Sequence, residues 1–321
     1  MRGATDRAPR VAVDFLRLAE PYLARHGCPS PRLDAEVLLA HVLGTSRLEL
    51  YTRLDQPLEP DEVDAYREAL RRRANREPVA YIVGYREFYG LRFGVDRAVL
   101  VPRPETEYLV ELALRAWQGR EGAGSGARAG GARFVDVGTG SGALAVTLTA
   151  RVADWEGIGS DVSPAALACA RDNARRHQLL DRLAWVRGDA LSWAGDETFD
   201  LVVANPPYVP TDTLDGLAPE IRRYEPRLAL DGGPDGLSVA RRVAEGAARV
   251  LRAGGLLAME LGSADQARDL AAWLRSHAAS TLARVAPVRD PVSGTPALLA
   301  QRPGTGPLAW PATPAEELAG P

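Results

Sequence analysis

From residue 132 onward, short apolar runs alternate with stretches of helical periodicity. The runs are "RFVDVG", "GIGSD", "LAWVRGD", "FDLVVA" and "GGLLAMEL". Between them, "GALAVTLTARV", "SPAALACARDNARRH" and "LSVARRVAEGAARVLR" carry helical patterns. This alternation predicts an α/β domain with a parallel sheet covered by helices. The first 80 residues differ, and their apolar positions fall at helical spacing. "SPRLDAEVLLAHVLG" offers Ser30 as an N-cap, Pro31 at the first helical position and Gly44 as a terminator. "EPDEVDAYREALRRRANREP" begins acidic and ends basic, as the helix dipole prefers. "VAVDFLRLAEPYLARHG" has the same periodicity, with Pro21 as a point of kinking.

These patterns divide the chain into a helical domain at 1–80, a hairpin linker at 81–103, an α/β domain at 104–302 and a disordered tail at 303–321. The linker rests on "YIVGYREFYGLRFGV", which alternates apolar and polar residues about Gly90. After it, "VPRPETEYLVELALRAW" starts a helix, with Pro104 in its first turn and Glu105 and Glu107 near its positive end. Helix initiation explains those residues; the alternative is that Arg103 and its neighbours wall a pocket at the domain junction. "GREGAGSGARAGG" reads as a flexible surface loop. There is no internal repeat.

Composition narrows the chemistry. The 321 residues carry a net charge of −3, and the first 80 balance 13 Arg against 13 Asp plus Glu. No overall electrostatic attraction to nucleic acid or to an anionic membrane is expected. The run Arg71–Arg73 is accordingly expected to be a solvated helix end. All 39 basic residues are arginine, which excludes a Schiff-base lysine and a phosphate-loop lysine. Cys28 and Cys169 lie far apart and read as free cytosolic thiols. The four histidines lack metal-ligand spacing, so no metal site is expected. Neither a signal peptide nor a membrane-spanning run is present, and a cytoplasmic monomer is expected.

Two stretches carry candidate chemistry. "DVGTGSGA" stands between a strand and a helix, where Gly138, Gly140 and Gly142 let backbone turn tightly beside a ligand. Asp161 ends the next strand, at a reach suited to ribose hydroxyls, and Asp189 closes the third. The loop suits a nucleoside-containing cofactor but, with Ala143 completing G-x-G-x-x-A, does not say which. "NPPY" follows the fourth strand, and ligands of open α/β sheets bind beyond carboxyl strand ends. Pro206 and Pro207 offer carbonyls without N–H groups, Asn205 adds a side-chain acceptor, and Tyr208 offers a flat ring. Together these can accept both hydrogens of an –NH₂ group and hold its plane, as methyl transfer to a planar nitrogen requires.

These stretches, with "DVSPAALACARDNA" and "YIVGYREFYG…VLVPRPETE", resemble the peptide chain release factor N5-glutamine methyltransferases, the HemK/PrmC family, from about Val11 to Arg302. The resemblance implies a Rossmann-like class I methyltransferase domain, with a mostly parallel seven-stranded sheet, behind a small helical substrate-recognition domain. It implies S-adenosyl-L-methionine as cofactor, S-adenosyl-L-homocysteine as product, and the Gly-Gly-Gln glutamine of class I release factors as substrate. Cofactor contacts are implied at Gly138, Thr139, Gly140, Ser141, Gly142, Asp161, Asp189, Ala190 and Asn205. Asn205, Pro206, Pro207 and Tyr208 would hold the substrate, with Asn205, Pro206 and Tyr208 catalytic. Ala190 stands where a larger residue often covers the adenine, so that contact is expected to be weaker or replaced, with nearby Trp193 as a candidate. The ending "VRDPVSGTPALLAQR" departs from the charged turn usual before the last strand. Alternatives are a ribosomal protein glutamine methyltransferase, a DNA or RNA adenine-N6 methyltransferase, and a non-catalytic cofactor-binding protein. The neutral N-terminal domain disfavours the nucleic-acid reading, and the intact NPPY disfavours the last.

Overall fold

The structure is a computed structural model that describes residues 11–118, 131–277, 281–304, 308–310 and 316–317. The expected glycine-rich loop lies outside these residues except for Gly131. The described chain forms two compact units, one of residues 11–85 with Ala218–Tyr224, the other of the remainder.

The first unit contains α1 (Ala12–Arg25), α2 (Pro31–Val42), α3 (Arg47–Leu50), α4 (Pro60–Ala74) and α5 (Val79–Val83). Pro31 opens α2 behind Ser30, whose side chain makes no cap bond, and Gly44, at φ +60°, follows its end. Leu23, Leu38, Leu39, Leu50 and Tyr66 pack into one core. One expectation is corrected here. Arg71 is exposed and pairs with Glu68, but Arg73 is only 3% exposed. Its helical spacing from Tyr66 and Ala69 turns it onto the buried face of α4. There Arg73 Nε donates to Asp34 Oδ2 at 2.7 Å and Nη2 to Glu220 Oε1 at 3.0 Å. Arg76 holds the same Glu220 through Nε at 2.7 Å and Nη2 at 2.6 Å. A buried guanidinium is tolerable only with such partners. They also explain why Ala218–Tyr224 belongs to this unit, against the expectation of a contiguous helical domain.

The second unit begins at Arg86, one residue into β1 (Tyr85–Phe88), which forms the hairpin with β2 (Leu91–Gly94). The expected linker begins too early, since residues 81–83 finish α5, which Gly84 ends at φ +81°. The remaining elements are α6 (Glu107–Gln118), β3 (Arg133–Val137), α7 (Ala143–Arg151), β4 (Glu156–Asp161), α8 (Pro164–Arg176), β5 (Leu183–Arg187), β6 (Phe199–Ala204), α9 (Pro219–Tyr224, in the first unit), α10 (Ser238–Val250), β7 (Leu251–Glu260), α11 (Ala264–His277), β8 (Arg284–Arg289), β9 (Pro296–Gln301) and β10 (Glu316–Glu317).

The sheet runs β10-β8-β9-β7-β6-β3-β4-β5. It is parallel from β5 to β7 and antiparallel beyond. The period of two along each strand feeds both faces. Phe134, Leu201, Val203 and Leu256 pack with α6 and α7, while Val135, Val202, Ala204 and Leu257 pack with α10 and α11. The chain reverses sheet direction at β3, which pairs with β4 on one side and β6 on the other. That reversal opens a crevice at the carboxyl strand ends.

The expected tail disorder is corrected where the tail is described. Leu308 is buried in the second unit's core, Ala309 N–H donates to the Ala116 carbonyl at 2.9 Å, and the Arg284 guanidinium lies 3.9 Å from the Trp310 ring centre. The apolar "LAW" within a Pro- and Gly-rich stretch explains this attachment. Among the described residues no helix is long and apolar enough to cross a membrane.

The Arg73 cluster yields a stability prediction. Arg73→Ala leaves the carboxylate of Asp34 buried without its guanidinium and loosens Glu220. Urea unfolding of the full chain should show a loss of about 3–5 kcal/mol. A loss below about 1 kcal/mol would show that the cluster behaves as a surface pair.

Candidate active site

The loop after β3 wraps a cavity of about 470 Å³, within the range of small-molecule sites. Gly138, Thr139, Gly140 and Ser141 line it. The loop turns away from β3 because the N–H groups of Gly138 and Thr139 both donate to the Ser160 carbonyl, at 2.8 and 2.9 Å. Gly142, at φ +80°, ends the turn and opens α7; a Cβ there would lie 3.1 Å from Ala170 Cβ. Only glycine fits that conformation without strain. Gly138, at φ +71°, is the opposite case, since a Cβ there would meet nothing within 4 Å. The space beside it belongs to the cavity.

Asp161 reaches the cavity from the end of β4. Its Oδ2 accepts the Gly140 N–H at 3.0 Å and its Oδ1 the Ser163 N–H at 2.9 Å. Burial raises its carboxyl above the usual range, and these backbone donors oppose the rise. Asp189 and Ala190 also line the cavity. Asp189 pairs with Arg242 at 2.9 Å, both half exposed, and Ala190 holds φ +47°. Trp193, the candidate adenine cover, is not among the lining residues. Its indole donates to the Ala190 carbonyl at 3.1 Å and its ring meets Phe199 edge-on at 6.2 Å. The apolar side chains on this part of the wall are Val162, Ala190 and Val239.

Asn205, Pro206 and Pro207 line the cavity from the end of β6. Asn205 Nδ2 donates to Thr106 Oγ1 at 2.9 Å, which turns the amide so that Oδ1 is left as an acceptor. Tyr208 is not among the lining residues; its ring lies against Gly262, where a Cβ would stand 2.6 Å from Cδ2. Gln266 Nε2 holds the Tyr208 carbonyl at 2.9 Å, and burial pushes the phenol up to about 12. Arg103 also lines the cavity, its Nη2 held by both oxygens of buried Glu225 at 2.7 and 2.8 Å. Arg103 therefore walls a cavity of the second unit, and it also immediately precedes the helical turn that starts at Pro104.

Sequence reasoning missed three buried polar residues. Asp136, 1% exposed, lines the cavity and braces the loop, accepting from Thr139 Oγ1 at 2.7 Å and Ala145 N–H at 3.1 Å. Thr106 and Glu260 are 5% and 2% exposed. The available signal was an acid inside an otherwise apolar run, Asp136 in "FVDV" and Glu260 in "LLAMEL".

A family model described as the PrmC N-terminal domain matches residues 14–84, and one described as a methyltransferase domain matches 134–224. The release factor glutamine methyltransferase of Nitratidesulfovibrio vulgaris is 42% identical over 281 residues, covering 87% of this chain and 91% of that protein. The protein of that name from Cereibacter sphaeroides is 42% identical over 279 residues, with 87% and 94% coverage. That from Geobacter sulfurreducens is 44% identical over 241 residues, with 75% and 80% coverage. Among solved structures, the hMettl16 catalytic domain in complex with the MAT2A 3'UTR hairpin 1 superposes with a TM-score of 0.52 at 16% identity, over 97% of this chain and 96% of that one. This likeness concerns the fold alone.

The loop brace yields a pH prediction. Burial pushes the Asp136 carboxyl up to about 7 from an ordinary 3.8, against hydrogen bonds from Thr139 and Ala145. The folded state then holds this proton where the unfolded chain has released it. The contribution to stability is therefore full below the unfolded value and is lost as pH rises toward 7. Thermal midpoints of wild type and Asp136→Asn from pH 5 to 8 should diverge, with wild type losing relative stability as pH rises. Parallel curves would remove Asp136 as the cause.

Proposed function

The chain belongs to the release factor glutamine methyltransferases, and from that premise we propose that it methylates the side-chain amide nitrogen, N5, of the Gly-Gly-Gln glutamine of class I release factors. It takes the methyl group from S-adenosyl-L-methionine, breaking the S–CH₃ bond as the N–CH₃ bond forms, and leaves S-adenosyl-L-homocysteine and one proton released from nitrogen to solvent. It acts in the cytoplasm in support of translation termination. The observation that carries this reading is the Asn205–Thr106 hydrogen bond at 2.9 Å. It orients an amide oxygen as an acceptor on a cavity wall whose next two residues are prolines. A corner of that kind recognises an –NH₂ group.

The cavity fits the cofactor by its own features. The open space beside Gly138 admits close approach of a ligand to backbone. Gly138–Gly142 would hold the methionine part, Asp161 the ribose hydroxyls, and Asp189 and Ala190 the adenine side, with Asn205 also in contact. When bound, S-adenosyl-L-methionine supplies an electrophilic methyl on a sulfonium.

The protein's part is alignment. An amide nitrogen has a delocalised, weakly nucleophilic lone pair. Asn205 Oδ1 and the Pro206 carbonyl accept its two hydrogens, fix its plane and raise its electron density. Both bonds strengthen as positive charge develops on nitrogen, so their effect falls on the chemical step. Pro207 keeps the corner extended. Tyr208, seated against Gly262 with its carbonyl held by Gln266, contributes by bracing this corner.

The test is incubation with methyl-labelled S-adenosyl-L-methionine and, separately, a class I release factor, its Gly-Gly-Gln Gln→Ala variant, a ribosomal protein and DNA. Label is expected on the release factor and absent from its variant. Label on DNA or the ribosomal protein, with none on the release factor, would overturn the assignment.

A further inference from the structure

Beyond Asn205, the second unit buries an acid whose presence the fold does not require. β7 is apolar from Leu256 to Met259 and ends in Glu260, which is 2% exposed. In the parallel pair, Ala204 stands level with Met259, so Asn205 and Glu260 follow at the same height. Asn205 and Thr106 are the hydrogen-bonding side chains that face its carboxyl. Oε2 is buried with no partner among the described residues. A buried carboxyl without full pairing is costly, and a leucine or methionine would pack here without that cost.

We propose that Glu260, together with Thr106, is a positioning residue for methyl transfer: it fixes the Asn205 amide with its oxygen toward the substrate nitrogen and polarises that oxygen as charge develops. This rests on the functional reading above. The geometry is a cluster of three side chains, each facing the other two. Thr106 accepts from Asn205 Nδ2, which leaves its hydroxyl hydrogen for another acceptor, and the carboxyl of Glu260 faces it. In ionised form that carboxyl draws on the N–H side of the Asn205 amide and enriches its oxygen. Protonated, it does so weakly.

The ionised state is finely balanced. Burial pushes the Glu260 carboxyl up to about 7; Glu105 adds to the rise, and Thr106, Arg103 and Asn205 oppose it. Tyr208 is the other titratable group facing it. Arg103 itself is committed to Glu225. A sulfonium bound in the cavity favours the carboxylate, so cofactor binding below pH 7 must expel a proton.

The experiment combines single-turnover methylation of a release factor, at saturating concentrations across pH 5.5–8.5, with calorimetry of S-adenosyl-L-methionine binding in two buffers of different ionisation enthalpy. Wild type should lose rate as pH falls and should release protons on cofactor binding near pH 6.5. Glu260→Gln should lower the rate about tenfold or more at pH 8, remove that pH limb and abolish proton release. Its release-factor KM should stay within about threefold, and its cofactor Kd should lose the pH dependence of wild type. Glu260→Asp should retain the limb. Thr106→Val should lower the rate and be non-additive with Glu260→Gln. Glu260→Gln with wild-type rate and wild-type pH limb, or full additivity with Thr106→Val, would overturn the proposal. If wild type methylates no release factor, the substrate assignment fails. Proton release unchanged in Glu260→Gln would then sink this proposal, and its loss in that variant would support it.

Discussion

Parallel strand register governs this site. Val137 pairs with Ser160 on one side and Ala204 on the other, and Ala204 pairs with Met259. The next residues of those four strands are Gly138, Asp161, Asn205 and Glu260, so loop, acid, amide and buried carboxyl emerge at one level. A slip of one residue in β6 would turn Val202 and Ala204 to the opposite face and carry Asn205 away from Thr106. Asp200 opposes that slip, because its carboxylate accepts from the Arg133 N–H at 2.9 Å and from Arg252 Nη1 at 3.1 Å. Strand pairing therefore sets the geometry of a polar site at the sheet's edge.

The site places acids where burial disfavours their charge. Asp136 and Glu260 are each raised to about 7 by burial. Asp136 uses its position to brace the loop through Thr139 and Ala145. Asp161 is satisfied by backbone donors from the loop and the start of α8. For Asp136 and Asp161 local polarity is held by hydrogen bonds already in place in the fold. Such preorganisation is the main resource available to a protein whose cofactor supplies the reactive carbon.

The alternation of short apolar runs with helical patterns was readable because strand and helix periods differ and the elements are short. The glycine loop and NPPY were readable because each is a local string whose chemistry depends on neighbours in sequence. Arg73 was misread because its role depends on Asp34 and Glu220, which lie 39 and 147 residues away. The membership of Ala218–Tyr224 in the helical unit was missed for the same reason. Trp193 was a candidate for the cavity only by proximity in sequence, and its ring packs on Phe199 instead. Thr106 and Glu260 could be paired with Asn205 only through strand register and the packing of the segment before α6. A single acid in an apolar run was the one sequence signal for Glu260, and Thr106, between two glutamates, carried none.

The central claim is that the corner after β6 acts on the substrate nitrogen during methyl transfer, not merely on the fold. The most direct measurement is single-turnover methylation of a release factor by Asn205→Ala at saturating cofactor, with circular dichroism and cofactor Kd alongside. The account predicts a folded protein with cofactor affinity largely kept and a chemical step slowed by about 10²–10³, the scale for losing one preorganised polar contact. Asn205→Asp, which keeps an acceptor of similar shape, should retain partial activity. A folded Asn205→Ala protein with near-normal turnover would contradict the account and leave the corner a structural turn.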